Sequence, residues 1–219
     1  MRKTKIICTM GPACADEETL TGLFRAGMNV ARLNFSHGDH TEHLAHIRRI
    51  QKIRQELHIP VAIMLDTKGP EYRIRSFENG PITLKEGDPF TFTTRQEPGD
   101  QAHVAVSYAH LPQELEPGDR ILLNNGLLSF LVEETTDTDV RCRVLIGGEL
   151  SNHKSMSFPG KVLKQVYLSE QDKADLLFGI ENDVDFIACS FVSCRQDLID
   201  VKSFLHAHGA DEIELIAKI

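Results

Sequence analysis

"NVARLNFSHG", Asn29–Gly38, decides how the rest of the chain is read. At the two-residue period of a strand, Ala31, Leu33 and Phe35 fall on one side and Arg32, Asn34 and Ser36 on the other. An exposed edge strand shows the same alternation, so the neighbouring sequence has to decide. Upstream, the strand-like "KTKIICTM" (3–10) is followed by "DEETLTGLFRAG" (16–27), a helical pattern ended by Gly27. Downstream, "DHTEHLAHIRRIQKIRQELH" (39–58) reads as a long helix that stops before Pro60, and "VAIMLDTKG" (61–69) as a nearly continuous apolar strand. Short apolar strands separated by helices specify a parallel sheet covered on both faces. The polar side of 29–38 is therefore predicted to stand at the mouth of a site.

Beyond Pro70 the pattern changes. Between 71 and 160, "ENGP", "KEGDP", "EPGDQ", "EPGDR", "NNG" and "IGG" separate short runs rich in Thr, Val, Ile and Phe, which predicts a compact β module inserted into the α/β domain. From 161 the first pattern returns: a helix over 169–183 with Ser169 as N-cap, the strand "VDFIACSFV" (184–192), a helix over 193–209 closed by Gly209, and the strand "IELIAKI" (213–219). The expected domains are thus 1–70, the insert 71–160, and 161–219 continuing the first. Five parallel strands fit either an open doubly wound sheet or part of an eight-stranded barrel. In both, sites form at the carboxyl ends of strands, and "CTM", "RLNFSHG", "LDTKG", "ACSFV" and "AKI" place their polar residues there.

With 219 residues, 41% of them apolar, the chain can bury a real core, and a net charge of −8 argues against nucleic acid or an anionic membrane as partner. The insert holds 8 basic and 14 acidic side chains, so six of those eight charges lie in it. The cysteines Cys8, Cys14, Cys142, Cys189 and Cys194 lack C-x-x-C spacing and suit reduced thiols. Neither a signal-peptide core nor a membrane-length apolar run is seen, so a cytoplasmic location is expected.

Several side chains have two readings. Arg32, near the end of a buried strand, meets either a phosphate or carboxylate or an internal salt bridge. Asn34, Ser36 and Asp66 offer oxygen ligands and one formal charge, suited to a weakly held hard cation or to simple hydrogen bonding between strand ends. His37, His40, His43 and His46 recur every three residues, but such steps drift around a helix. A solvated helix face is expected for them, with only His37 near the site. Lys218 either stabilises a developing negative oxygen or merely terminates a strand. Arg73 and Lys154, near the seams of the insert, either reach anionic phosphates or lie in solvent. No glycine-rich phosphate loop is present, which leaves side chains to hold any nucleotide.

"TKIICTMGPA", "GMNVARLNFSHG", "AIMLDTKGPEYR", "FGIENDVDFIACSFV" and "ELIAKI" stand in the order and spacing of the pyruvate kinase family, and the chain resembles the N-terminal part of that family throughout. The resemblance implies a partial (β/α)8 TIM barrel, five strands present, interrupted after the third strand by a small all-β barrel lid. It implies phosphoryl transfer from phosphoenolpyruvate to ADP in glycolysis, with Mg²⁺ and K⁺ as cofactors and a homotetrameric complete enzyme. Carried over residue by residue, Arg32 resembles the substrate-binding arginine and Lys218 the lysine that steadies transition-state charge. Asn34, Ser36, Asp66 and the Thr67 carbonyl resemble K⁺ ligands, and Asn34, Ser36, His37, Arg73 and Lys154 resemble nucleotide contacts. Glu71 is similar to the form that needs K⁺. Asn124-Asn125-Gly126, "HKSMSFPG" (153–160) and Tyr72 depart from the family pattern, the first two in or beside the lid. The family's Mg²⁺ carboxylates follow Ile219, so the 219 residues alone are expected to be inactive. Two other readings are a noncatalytic binding module and a Mg²⁺-dependent lyase or aldolase on a pyruvate-like substrate.

Overall fold

The computed structural model describes residues 3–219, which form two compact units: 3–70 with 166–219, and Glu71–Gln165.

The first unit is α/β. Its strands β1 (Ile7–Thr9), β2 (Val30–Asn34) and β3 (Ala62–Asp66) alternate with helices α1 (Glu17–Ala26) and α2 (His40–Leu57). Asp16 caps α1 by accepting from the Thr19 amide at 2.7 Å, and Gly27, at φ 102°, closes it in a left-handed conformation that glycine adopts without strain. Asp39 caps α2 in the same way, accepting from the Glu42 amide at 2.9 Å.

The second unit contains β4 (Ile82–Leu84), β5 (Pro89–Thr93), β6 (His103–Ala105), the single helical turn α3 (Leu111–Glu114), β7 (Arg120–Leu123), β8 (Leu128–Thr135), β9 (Asp139–Ile146), β10 (Gly148–Leu150) and β11 (Met156–Ser157). Six of its strands run in the order β11-β7-β8-β9-β5-β6, with β10-β4 as a separate pair. Phe90, Phe92 and Phe130 fill its core, with the Phe92 and Phe130 rings 5.1 Å apart. The turn from β7 to β8 carries Asn124, Asn125 and Gly126 at φ 51°, 57° and 84°, a run that Asn and Gly tolerate better than other residues. The insert is the expected β module, with the one turn α3 burying Leu111 and Pro112.

The second seam also lies later than the expected 160/161. Leu163 joins the core of the second unit, Lys161 Nζ meets Glu116 at 2.7 Å and Asp119 at 2.9 Å, and the Lys164 amide donates to Glu114 at 2.6 Å. Those contacts hold residues 161–165 to the insert.

The chain then returns to the first unit through α4 (Glu170–Glu181), β12 (Phe186–Cys189), α5 (Arg195–Ala207) and β13 (Glu214–Ala217). All five strands are parallel, in the order β1-β2-β3-β12-β13. Register aligns their carboxyl ends: Thr9 lies opposite Arg32, Asn34 opposite Asp66, Asp66 opposite Ala188, and Cys189 opposite Ala217. Leu33, Ile63, Leu65 and Ile187 are buried in one core with Ile47, Ile50 and Ile53 of α2 and Leu176 of α4.

One expectation fails on α2. His43 and His46 are buried rather than solvated, because they fall on the flank of the helix that faces the sheet. The His43 ring stacks on Phe35 at 4.1 Å, and its Nε2 donates to the His37 carbonyl at 2.9 Å.

Candidate active site at the carboxyl ends of the parallel strands

Asp66, 1% exposed, is the centre of the site. Its Oδ2 accepts from Arg32 Nε at 2.6 Å and from Arg32 Nη2 at 2.5 Å. Its Oδ1 accepts from Lys218 Nζ at 2.5 Å and from Ser190 Oγ at 3.0 Å. A buried carboxylate is costly unless it is both paired and hydrogen-bonded, and here two cations and a hydroxyl meet that cost. Two cations around one carboxylate leave the cluster with a local positive charge, although the chain as a whole is acidic.

The cations are not exhausted by Asp66. Arg32 Nη1 donates to Thr9 Oγ1 at 2.8 Å, and each terminal nitrogen retains a further N–H. Lys218 has a third N–H beyond those given to Asp66 and to Ser190 Oγ at 2.8 Å. With side chains 27% and 42% exposed, Arg32 and Lys218 can turn these donors to a ligand from solvent. The arrangement is suited to binding an anion and to stabilising negative charge that grows on an oxygen.

The backbone around the cluster is held from several sides. The Ser190 amide donates to Thr67 Oγ1 at 3.1 Å, and its carbonyl accepts from the Tyr167 hydroxyl at 2.7 Å. Burial, with lesser contributions from neighbouring acidic groups, raises the Tyr167 pKa and keeps the phenol a donor. Gly69, at φ +65°, approaches so closely that a Cβ there would lie 2.5 Å from the Ser190 carbonyl oxygen. The Gly69 amide donates to Asp172 Oδ1 at 3.1 Å, and the same carboxylate completes the capping box with Ser169 at the start of α4. Cys189, between Ala188 and Ser190, is an inert thiol pushed up to about 12, chiefly by burial and then by Asp66.

Beside the cluster, Asn34 Oδ1 accepts from the Ser36 amide at 3.1 Å, and the Asn34 carbonyl accepts from the His37 amide at 3.2 Å. Asn34 and His37 line a cleft of about 280 Å³ together with Thr9, Met10, Pro12 and His43. Thr67 is buried and its amide donates to the Ala188 carbonyl at 3.0 Å. The structure thus brings Arg32, Asn34, Ser36, His37, Asp66, Thr67 and Lys218 to one end of the α/β unit.

Arg73 and Lys154 belong to the other unit, on adjacent segments: Arg73 forms an antiparallel bridge with Ser155, and the Ile74 amide donates to the Lys154 carbonyl at 3.0 Å. Arg73 is engaged by Glu71 at 2.6 Å and by the His153 carbonyl at 2.6 Å.

The description "Pyruvate kinase, barrel domain" is that of the family model matching residues 1–219, the whole chain. The chain belongs to the pyruvate kinase family. A pyruvate kinase of Clostridium perfringens is 44% identical over 220 residues, which are 100% of this chain and 46% of that protein. Pyruvate kinase of Geobacillus stearothermophilus is also 44% identical, over 100% of this chain and 38% of its own length. A solved pyruvate kinase structure from Cryptosporidium parvum superposes with a TM-score of 0.89 at 37% identity, covering 100% of this chain and 46% of that one. The chain therefore spans less than half the length of these pyruvate kinases. That likeness and the sheet order give the fold as part of a TIM barrel with an inserted β domain after the third strand. Among the described residues no helix is long and apolar enough to cross a membrane.

Sequence reasoning placed the strand ends that carry Thr9 and Ser190 at this site without singling those residues out, and it missed Tyr167. Ser190 carried one weak signal, its place as the first polar residue after "FIAC".

Proposed function

We propose that the protein carrying this segment is a pyruvate kinase in activity: it transfers the phosphoryl group of phosphoenolpyruvate to ADP, giving pyruvate and ATP in glycolysis. The observation that supports this most is the convergence of Arg32 and Lys218 on buried Asp66 with N–H donors left over. In the reaction the bond from phosphorus to the enol oxygen breaks and a bond to a terminal oxygen of ADP forms. The enolate then takes a proton at carbon and becomes pyruvate. Arg32 binds the anionic substrate. Lys218 donates to the oxygen that gains charge as the phosphoryl group leaves, an electrostatic contribution of the kind that dominates such transfers. Asn34, Ser36 and His37, with Arg73 and Lys154, are the proposed nucleotide contacts.

The donor set of Asn34, Ser36, Asp66 and the Thr67 carbonyl fits K⁺ by its chemistry, being all oxygen with one formal charge, and Asn34 stands opposite Asp66 in the sheet. Bound there, K⁺ would add positive charge for the substrate phosphates. Mg²⁺ is the second proposed cofactor, without an assigned ligand in this chain. Among the described residues no cluster of His, Cys, Asp and Glu gathers as a metal site. A cytoplasmic homotetramer is proposed along with the activity.

The test is to assay the complete protein for pyruvate and ATP from phosphoenolpyruvate and ADP with Mg²⁺, comparing K⁺ with Na⁺ and Li⁺. Stoichiometric pyruvate and ATP that depend on K⁺ are expected. Absence of ATP, or phosphate release in its place, sinks the activity, and equal rates with all three ions sink the K⁺ site alone.

A further inference from the structure

We infer that Ser190 is a positioning residue for Lys218, fixing the ammonium so that its remaining N–H faces the open end of the site. This rests on the phosphoryl-transfer reading above.

The polarity of the contact is determined by the groups themselves. Ser190 Oγ lies 3.0 Å from Asp66 Oδ1 and 2.8 Å from Lys218 Nζ. An ammonium has no lone pair and a carboxylate has no proton, so the hydroxyl donates its one proton to Asp66 and accepts from Lys218. Asp66 by itself cannot orient the ammonium. Its Oδ2 is committed to Arg32, and a single contact through Oδ1 lets the part-exposed lysine stem swing about the Nζ···Oδ1 direction and carry the other two N–H groups with it. A second acceptor at Ser190 removes that rotation. With two of the three tetrahedral N–H directions fixed, the third is fixed too.

The hydroxyl is itself on a rigid support. Ser190 is 4% exposed, its amide is tied to Thr67 Oγ1 and its carbonyl to the Tyr167 hydroxyl, and Gly69 packs against that carbonyl. A donor aimed in advance at an oxygen that acquires charge contributes more to the transition state than to substrate binding. The effect of Ser190 should therefore fall on kcat and should exist only while Lys218 is present.

The experiment is a double-mutant cycle in the complete protein. Ser190→Ala is expected to lower kcat by roughly tenfold to a hundredfold, with the KM for phosphoenolpyruvate within about twofold of the parent. Lys218→Met alone should lower kcat by on the order of 10²- to 10³-fold. Adding Ser190→Ala to Lys218→Met should cost less than about twofold more, because the residue acts through the lysine. Tyr167→Phe, which removes only the hydroxyl that holds the Ser190 carbonyl, is expected to give a smaller kcat loss that also disappears in the Lys218→Met background. Its cycle decides the matter if Ser190→Ala does not fold. Fully additive losses, or a Ser190→Ala effect confined to KM, overturn the role of Ser190. No turnover in the unsubstituted protein overturns the phosphoryl-transfer reading instead.

Discussion

The charged cluster at the strand ends of the α/β unit and two ion pairs on the surface of the β unit hold their charges in opposite ways. In the α/β unit a carboxylate with 1% exposure is shared by Arg32 and Lys218, and a serine hydroxyl supports it. On the surface of the β unit two pairs are exposed rungs: Arg141 with Glu134 at 2.8 Å and Arg143 with Glu133 at 2.6 Å, their side chains 40% to 58% exposed. Water screens the exposed rungs, and ordering long side chains offsets most of the attraction, so such pairs contribute little. At the strand ends desolvation makes each partner depend on the others, and removal of one leaves the rest uncompensated. Ion-pair geometry alone does not distinguish the two sets, since the distances are nearly equal. Burial does, and it marks the site.

The sharpest way to break this comparison is Asp66→Ala, which leaves Arg32 and Lys218 facing each other across a buried gap. The complete protein should lose about 3 kcal/mol of barrel stability, toward the low end for a broken buried pair because both cations are part-exposed. Urea unfolding followed by circular dichroism measures it, and a loss no larger than that of an exposed pair would erase the distinction.

A smaller effect is expected from His46, a second buried titratable group of the α/β unit. Burial, with Arg49 adding to it, lowers its pKa below the ordinary value of about 6.5. The unfolded chain then takes up the proton first as pH falls. The contribution of His46 to stability is complete above about pH 6.5 and drains away below it, with a slope of at most about 1.4 kcal/mol per pH unit. His46→Gln should flatten the stability profile between about pH 7 and pH 5 relative to the parent. An unchanged slope would show that the histidine is as solvated as the surface rungs.

The smallest effect is expected from Arg141→Ala, which should shift stability by under about 1 kcal/mol, less still at high salt. A loss comparable to that of Asp66→Ala would mean that the β surface, too, depends on its ion pairs.

What the sequence alone determined is whatever follows from local periodicity and capping: the parallel strands, the helices stopped at Gly27 and before Pro60, the insert after Pro70, and the polar face carrying Arg32, Asn34 and Ser36. Lys218 was also legible, as the lysine at a strand tip. For Arg32 the sequence left an anion and an internal salt bridge open, and the structure shows the salt bridge: the guanidinium pairs with Asp66 and has N–H groups left over. Only tertiary structure could bring Asp66 to Ser190 and Lys218, which are 124 and 152 residues away along the chain. Strand register decides that meeting, and a sequence pattern reports which face a side chain takes but not which residue stands across from it. The same limit explains His43 and His46, whose burial depends on where α2 packs rather than on their spacing. It explains the second seam as well, which the Lys161 side chain and the Lys164 amide move to Gln165 by contacts that no turn signal encodes.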